Sequence, residues 1–393
     1  MAEKNLAASL ENVAQCGADD SMNLIVTDVS LDVVRRDLES FPKAGGDSHT
    51  SAQTYGILRV RTKDGVEGNC IVGERWGRPK SYFEAVINTL KPEIIGRSAI
   101  MREWLWNRHK QLRLQFRSVD AAWAAIDIAL WDIAGKAAGL PVHQLLGTSR
   151  DAVPAYATYS VKGNKAEHFI SEANEVIARG FSAYKIHPGA TSNRETCRTA
   201  ELVRKEVGEN VALMLDPNGG YDFQKALTVG HALDANGFHW FEDPISYHEA
   251  DSLAELSRRL NTPLCVSDFA PQQFQQAANH IRNKAARMVR GTALQLGITG
   301  LRKICAMAEG FGLNCEIGTG GNPLTNAANL HVAQSVANCG YYEYHIADEA
   351  ERFGLTSYTE IDDQSMVCAP NRPGLGFELD EDWIGNHMIE TLA

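Results

Sequence analysis

The chain has 393 residues, 44% of them hydrophobic and 22% charged, enough for two domains or one large barrel with an added domain. Its formal net charge of −11 argues against general nucleic-acid binding, which needs a basic surface, but leaves anionic small substrates open because local potential can oppose net charge. No run approaches the ~20 apolar residues of a membrane span. The eight cysteines are scattered, with no C-x-x-C, as expected of reduced core thiols in a cytoplasmic protein.

In chain order, residues 1–21 carry acidic side chains and no apolar core segment, so they read as a loose tail and not as a secretory signal. Residues 22–150 are expected to form an α+β domain. "NLIVTDVSLDVV" and "TYGILRVRTKDGVEGNCIVGE" read as strands, with "KDGVEG" as a hairpin turn. The polar, Gly-containing loop between them, residues 43 to 53 with His49, is a candidate lid. "GERWGRP", with Trp76 and Arg78, is a candidate second wall of a site. Each is equally readable as a plain surface connection. "SVDAAWAAIDIALWDIAGKAAGLP" is apolar all round, which predicts a buried helix stopped by Gly139 and Pro141.

From 151 to 355, short β runs alternate with amphipathic helical stretches. The strand candidates are "VPAYATYS", "FSAYKIH", "VALMLD", "GFHWFED", "PLCVSD", "ARMVRG", "LNCEIG" and "GYYEYH". Strict alternation implies parallel strands with right-handed crossovers, and eight of them fit a (β/α)8 barrel. Residues 356–393 are expected to fold back on the first domain. The alternative, a doubly wound open sheet, lacks a G-x-G-x-x-G after its first strand.

Three consecutive barrel strands end in acids: Asp216, Glu242 and Asp268, each 26 residues after the last, or one βα unit. They reach the C-terminal rim, where barrel active sites lie. Close carboxylates repel unless a cation sits among them, and an all-oxygen set suits Mg²⁺ before Mn²⁺. Taken singly, each is as readily a solvated strand end or a helix cap. One strand earlier, "SAYKIHPG" puts Lys185 and His187 on one face. A lysine facing inward is costly unless something anionic meets it.

"LMLDPNGGYD", "WFEDPIS" and "ALWDIAGKAAGLPVHQLLG" resemble the enolase superfamily, in its mandelate racemase and muconate lactonizing branches, over about residues 24 to 380. The resemblance implies an α+β capping domain on a modified (β/α)8 TIM-type barrel. It also implies Asp216, Glu242 and Asp268 as Mg²⁺ ligands, although relatives more often carry Glu in place of Asp268. Lys185 and His187 fall on the family's Lys-x-Lys position, which faces a carboxylate substrate. The shared step removes the proton next to that carboxylate. Lys185 would neutralise the resulting dianion and His187 would be the base, as the superfamily's use of Lys or His bases with Mg²⁺ implies. Glu343 on the eighth strand would act with them, and Asn218 matches a position that contacts substrate or the metal's surroundings. Relatives usually form dimers or octamers, so a homo-oligomer is expected, with no nucleic-acid or membrane partner.

The sixth and seventh strands depart from the family. Alignment on "GITG" puts Gly291, followed by Thr292, where racemases and many dehydratases carry Asp, and Gly318 or Thr319 where they carry His. Thr292, Thr319, His345 and His49 are candidate substrate contacts in their place; Arg287 and Arg290 read as exposed, or Arg290 enters the site in place of the lost groups. The glycines of "GTGGN" are expected to open room for a bulky substrate or for a helix start. With one face populated, dehydration of a sugar acid or hydroxy acid is the leading expectation. A racemase, epimerase or cycloisomerase, and a non-catalytic metal-binding relative, are the alternatives.

Overall fold

A computed structural model of the chain describes residues 24–40, 49–73, 79–114, 119–159, 163–268, 270–346 and 351–393. Alternating buried positions in β1 (Val26–Ser40) and β2 (His49–Thr62) build a long antiparallel ladder, and a turn at residues 63–66 leads back along β2 as β3 (Glu67–Val72). The ladder runs to the pair Ser40↔His49, so residues 49–53 of the candidate lid are strand, and its residues 43–48 lie outside the described residues. The C-terminal strand β13 (Met388–Leu392) pairs antiparallel with β1, completing the sheet order β13-β1-β2-β3.

The helix Val119–Ala138 packs beneath this sheet. It is buried along nearly its whole length and ends at Gly139, whose φ of 67° a side chain would resist. Its two buried acids carry long-range ties. Asp127 accepts from the Thr299 backbone N–H at 2.8 Å and from its hydroxyl at 2.6 Å. Asp132 accepts from the N–H groups of Asn69 (3.0 Å) and Leu375 (2.8 Å). These bonds fix the cap to the barrel and to the C-terminal segment.

The barrel is made of β4 (Val153–Thr158), β5 (Ala183–Ile186), β6 (Ala212–Leu215), β7 (Trp240–Glu242), β8 (Leu264–Val266), β9 (Met288–Gly291), β10 (Asn314–Ile317) and β11 (Tyr342–His345). All neighbours are parallel, and β11 closes on β4 from Tyr342↔Ala155 to His345↔Thr158. A short strand, β12 (Met366–Val367), pairs antiparallel with β4 from outside.

Side-chain alternation sets the barrel's interior layers. Tyr156, Ala183, Met214, Trp240 and Cys265 form one packed layer, with Met288 and Tyr341 against it. Two residues further along stand Thr158, Lys185, Asp216, Glu242, Arg290 and Glu343, while on β8 the corresponding Ser267 bonds to His280 on the outer helix instead. The apolar layer is therefore a floor, and the polar layer above it faces the C-terminal mouth. Among the described residues no helix is long and apolar enough to cross a membrane, and seven cysteines are free thiols.

Candidate active site

The polar layer is a dense set of opposite charges at almost complete burial. Lys185 Nζ lies 2.6 Å from Glu343, 3.2 Å from Glu242 and 3.6 Å from Asp216. Opposite it, the Arg290 guanidinium lies 3.0 Å from Glu242 and 3.7 Å from Asp268 through Nε, and donates to Glu343 Oε2 at 2.8 Å through Nη2. From the floor, Trp240 Nε1 donates to Glu242 at 3.0 Å and the Tyr156 hydroxyl accepts from Arg290 at 3.3 Å.

Arg290 is the group that the strand alignment missed. Gly291 points outward, where an added Cβ would stand 2.7 Å from Leu301. Counting by two from Met288 instead makes Arg290 the inward residue. Gly318, one residue past the end of β10, borders the same layer. A Cβ there would stand 2.9 Å from Arg290 Nη2 and 3.0 Å from Asp268 Oδ1. At this glycine of "GTGGN" the absent side chain makes room for the guanidinium.

Asp268 reaches the layer because alternation breaks at Ser267, which has φ of 85°. Such a conformation costs a non-glycine residue about 1–3 kcal/mol. Asp243, immediately after Glu242, offsets it by accepting from the N–H groups of Ser267 and Asp268, each at 2.9 Å. Asp243 thus positions Asp268, a task with no local sequence signal beyond its place in "WFED".

His187 sits at the mouth. Its Nδ1 is 3.2 Å from Thr158 Oγ1 and its Nε2 is 3.2 Å from Asp216 Oδ2. Thr319 donates through its N–H to Glu343 Oε2 at 2.8 Å and through its hydroxyl to the Glu343 carbonyl at 3.0 Å, so it holds Glu343 and does not stand free for substrate. Glu343 is in turn fully engaged, by Lys185, Arg290 and Thr319. Thr292 is a correction: it is buried, and its hydroxyl caps the helix Ala293–Gly310 by accepting from Leu294 N–H, so it does not face a substrate. Asn218 is exposed on the rim and contributes a backbone N–H to Asp216 Oδ1 at 2.7 Å. His345 lines a pocket beside Glu343. His49 is the first residue of β2, but its side chain, like Trp76 and Arg78, lies outside the described residues.

The electrostatics follow from counting. Four carboxylates, Asp216, Glu242, Asp268 and Glu343, share two cations. Burial works against every charge in the layer. It would lower the Lys185 pKa, but Glu242 and Glu343 hold it well above the usual value. Burial also opposes the charge of Asp216, which Lys185 and His187 nonetheless hold at about 2. Glu343 is likewise held well below its usual value by Lys185 and Arg290 against burial. The remaining two are left short of positive charge: burial pushes Glu242 well up, and pushes Asp268 to about 6 despite Arg290.

That deficit is the test of fit for a metal. Among the described residues no three such side chains stand in ready ligand geometry, because Lys185 and Arg290 clasp them. Yet the donors are all hard oxygens, two positive charges are wanting, and the buried Asp268 Oδ1 has no hydrogen-bond partner. Asp216, Glu242 and Asp268 therefore suit a divalent cation such as Mg²⁺.

Comparison with known proteins agrees with this architecture. Residues 31–147 match the mandelate racemase/muconate lactonizing enzyme N-terminal domain, and residues 168–383 match the enolase C-terminal domain-like family. An arabinonate dehydratase of Saccharolobus solfataricus is 31% identical over 330 residues, spanning 81% of this chain and 87% of that protein. An N-succinyl-L-Arg/Lys racemase of Bacillus cereus is 27% identical over 342 residues, spanning 83% and 88%. The crystal structure of D-glucarate dehydratase from Agrobacterium tumefaciens, complexed with magnesium, has a TM-score of 0.82 and 27% identity, covering 94% of this chain and 100% of that one. Relatives thus include both dehydratases and racemases, and the chain itself belongs to the mandelate racemase/muconate lactonizing enzyme family of the enolase superfamily.

Proposed function

We propose that the chain is a Mg²⁺-dependent dehydratase of a hydroxylated carboxylic acid, working from one face of the substrate. The observation that carries this reading is the pairing of Arg290 with Gly318. Where a second base would stand, β9 offers a guanidinium, which does not give up its proton, and Gly318, just past β10, offers no side chain. Racemization needs a proton acceptor and a donor on opposite faces of the carbon. The Lys185/His187 side supplies a titratable imidazole at the mouth, held by Thr158 and Asp216.

Mg²⁺ held by Asp216, Glu242 and Asp268 would supply Lewis-acid stabilisation of the charge that collects on the substrate carboxylate. Lys185, ringed by three carboxylates, stays an ammonium and donates to that same carboxylate. Glu343 anchors Lys185 and Arg290. In the tautomer that donates Nδ1–H to Thr158 Oγ1, His187 Nε2 carries a lone pair and accepts the α-proton. The C–H pair then moves into the carboxylate, the C–O bond to the β-hydroxyl breaks, and the imidazolium returns its proton to the departing oxygen as water. The enol left behind tautomerises to a 2-keto-3-deoxy acid.

The test is turnover of sugar acids with Mg²⁺, followed for a 2-keto-3-deoxy product. His187→Gln should lose it at least a hundredfold while still binding the acid. Equal rates in wild type and variant would overturn the assignment of the base.

A further inference from the structure

Of the three carboxylates that suit a divalent cation, Asp268 has the fewest side-chain supports. Asp216 is met by Lys185, His187 and the Asn218 N–H, and Glu242 by Lys185, Arg290 and Trp240. Asp268 Oδ1 has no hydrogen-bond partner, and its contact with Arg290 is 3.7 Å long. The aim of this carboxylate is therefore set by its own backbone, which follows directly on the left-handed Ser267 with φ of 85°.

Every polar group of Ser267 is taken up. Its N–H donates to Asp243 Oδ1 at 2.9 Å, its carbonyl accepts from Gln273 Nε2 at 2.8 Å, and its hydroxyl stands 2.7 Å from His280 Nδ1. His280 Nε2 stands 2.9 Å from the Tyr247 carbonyl, which can only accept. In the neutral imidazole Nε2 therefore carries the proton, and the Ser267 hydroxyl donates to the lone pair of Nδ1. Gln273 carries the tie sideways to the next strand: its Oε1 accepts at 3.1 Å from the N–H of Thr292, just beyond Arg290 on β9. Ser267, Gln273 and His280 are all buried, so loss of any one leaves a buried polar group unpaired.

We propose that Ser267, His280 and Gln273 are positioning residues for the cation: together they hold the left-handed turn that aims Asp268, and so sharpen the site's preference for Mg²⁺ over Ca²⁺. Mg²⁺ demands near-octahedral oxygens at about 2.0–2.1 Å, whereas Ca²⁺ accepts a flexible set at about 2.3–2.6 Å. A carboxylate fixed by its backbone suits the smaller ion, and loosening it costs Mg²⁺ more than Ca²⁺. This inference rests on the reading of Asp268 as a metal ligand, but it does not depend on which acid is the substrate or which bond is broken.

The experiment titrates the chelator-treated full chain with Mg²⁺ and, separately, with Ca²⁺ by calorimetry, with no substrate present. Ser267→Ala, His280→Leu and Gln273→Leu should each raise the Mg²⁺ Kd about tenfold or more, and the Ca²⁺ Kd by less than about threefold. Glycine adopts the left-handed conformation without strain, so Ser267→Gly should stay within about threefold of wild type for Mg²⁺. In that background His280→Leu should cost less than about threefold, whereas a His280 that only fills space in the core would cost the same in both backgrounds. Where His280→Leu does not fold, the contrast between Ser267→Ala and Ser267→Gly carries the test. A Mg²⁺ Kd unchanged in Ser267→Ala, or raised equally for both ions, would overturn the positioning role, while weaker Mg²⁺ binding by Asp268→Asn would keep the ligand reading. No effect of Asp268→Asn on either ion would overturn the ligand reading and this inference with it.

Discussion

Arg290 on β9 donates to Glu343 on β11 at 2.8 Å, passing beside Gly318 just past the end of the strand between them. The contact joins two strands that are not neighbours in the sheet, and it is possible only because the intervening position has no side chain. Arg290→Met should therefore leave Glu242 and Glu343 buried with half their positive partners. Removing one partner of a buried ion pair costs about 3–5 kcal/mol, so urea unfolding should show a loss on that scale. Arg290→Lys should restore part of the stability but not the fork that reaches Glu242, Asp268 and Glu343 together. A Met variant as stable as wild type would contradict the role given to the guanidinium.

The metal prediction follows from the missing positive charge. Adding Mg²⁺ to chelator-treated protein should raise its thermal midpoint in a saturable way, by the equivalent of about 2.7 kcal/mol at a hundredfold excess over Kd. Asp268→Asn should move the Mg²⁺ midpoint of that curve to higher concentration. Wild-type midpoints indifferent to Mg²⁺ would argue that Lys185 and Arg290 alone satisfy the carboxylates.

Much of this centre was legible in the sequence. Lys185, Asp216, Glu242 and Asp268 announce themselves by strand-end position and by the repeat of one βα unit. Arg290 was legible only as one of two readings, exposed or entering the site, because alignment on the following "GITG" turn leaves its facing open, whereas the period of two from Met288 turns it inward. Thr292 read as a substrate contact because a hydroxyl at a strand end serves equally as a helix cap, and the choice depends on where the helix starts. Asp127 and Asp132 look like interruptions in an apolar helix. Their partners, Thr299 and Leu375, are 172 and 243 residues away, which no local pattern encodes. Asp243 is silent for a related reason: its acceptors serve backbone N–H groups of a neighbouring strand's end.

Asp127 also predicts a pH dependence of stability. Burial raises its pKa to about 6, with the Thr299 hydrogen bonds opposing that rise. The folded chain then binds this proton more tightly than the unfolded chain does. The contribution is fully present below about pH 4 and is lost as pH rises through about 6. Two pKa units correspond to roughly 3 kcal/mol. Asp127→Asn should remove that part of the fall, so the stability difference between variant and wild type should move in the variant's favour between pH 4 and 7. A difference independent of pH would show that Asp127 titrates normally.

Thr158 gives a finer test of the base. Its hydroxyl is the partner of His187 Nδ1 at 3.2 Å, so Thr158→Val should lower kcat about tenfold or more with little change in KM, and shift the pH profile of kcat. A change confined to KM would place Thr158 in substrate binding instead.

The most direct measurement is proton NMR of five- and six-carbon sugar acids with the protein and Mg²⁺ in D₂O. One-sided chemistry predicts loss of the α-proton signal together with a 2-keto-3-deoxy product, and neither event with His187→Gln. Deuterated substrate of inverted configuration, without elimination, would contradict it by requiring a base on the face that Arg290 and Gly318 leave without one.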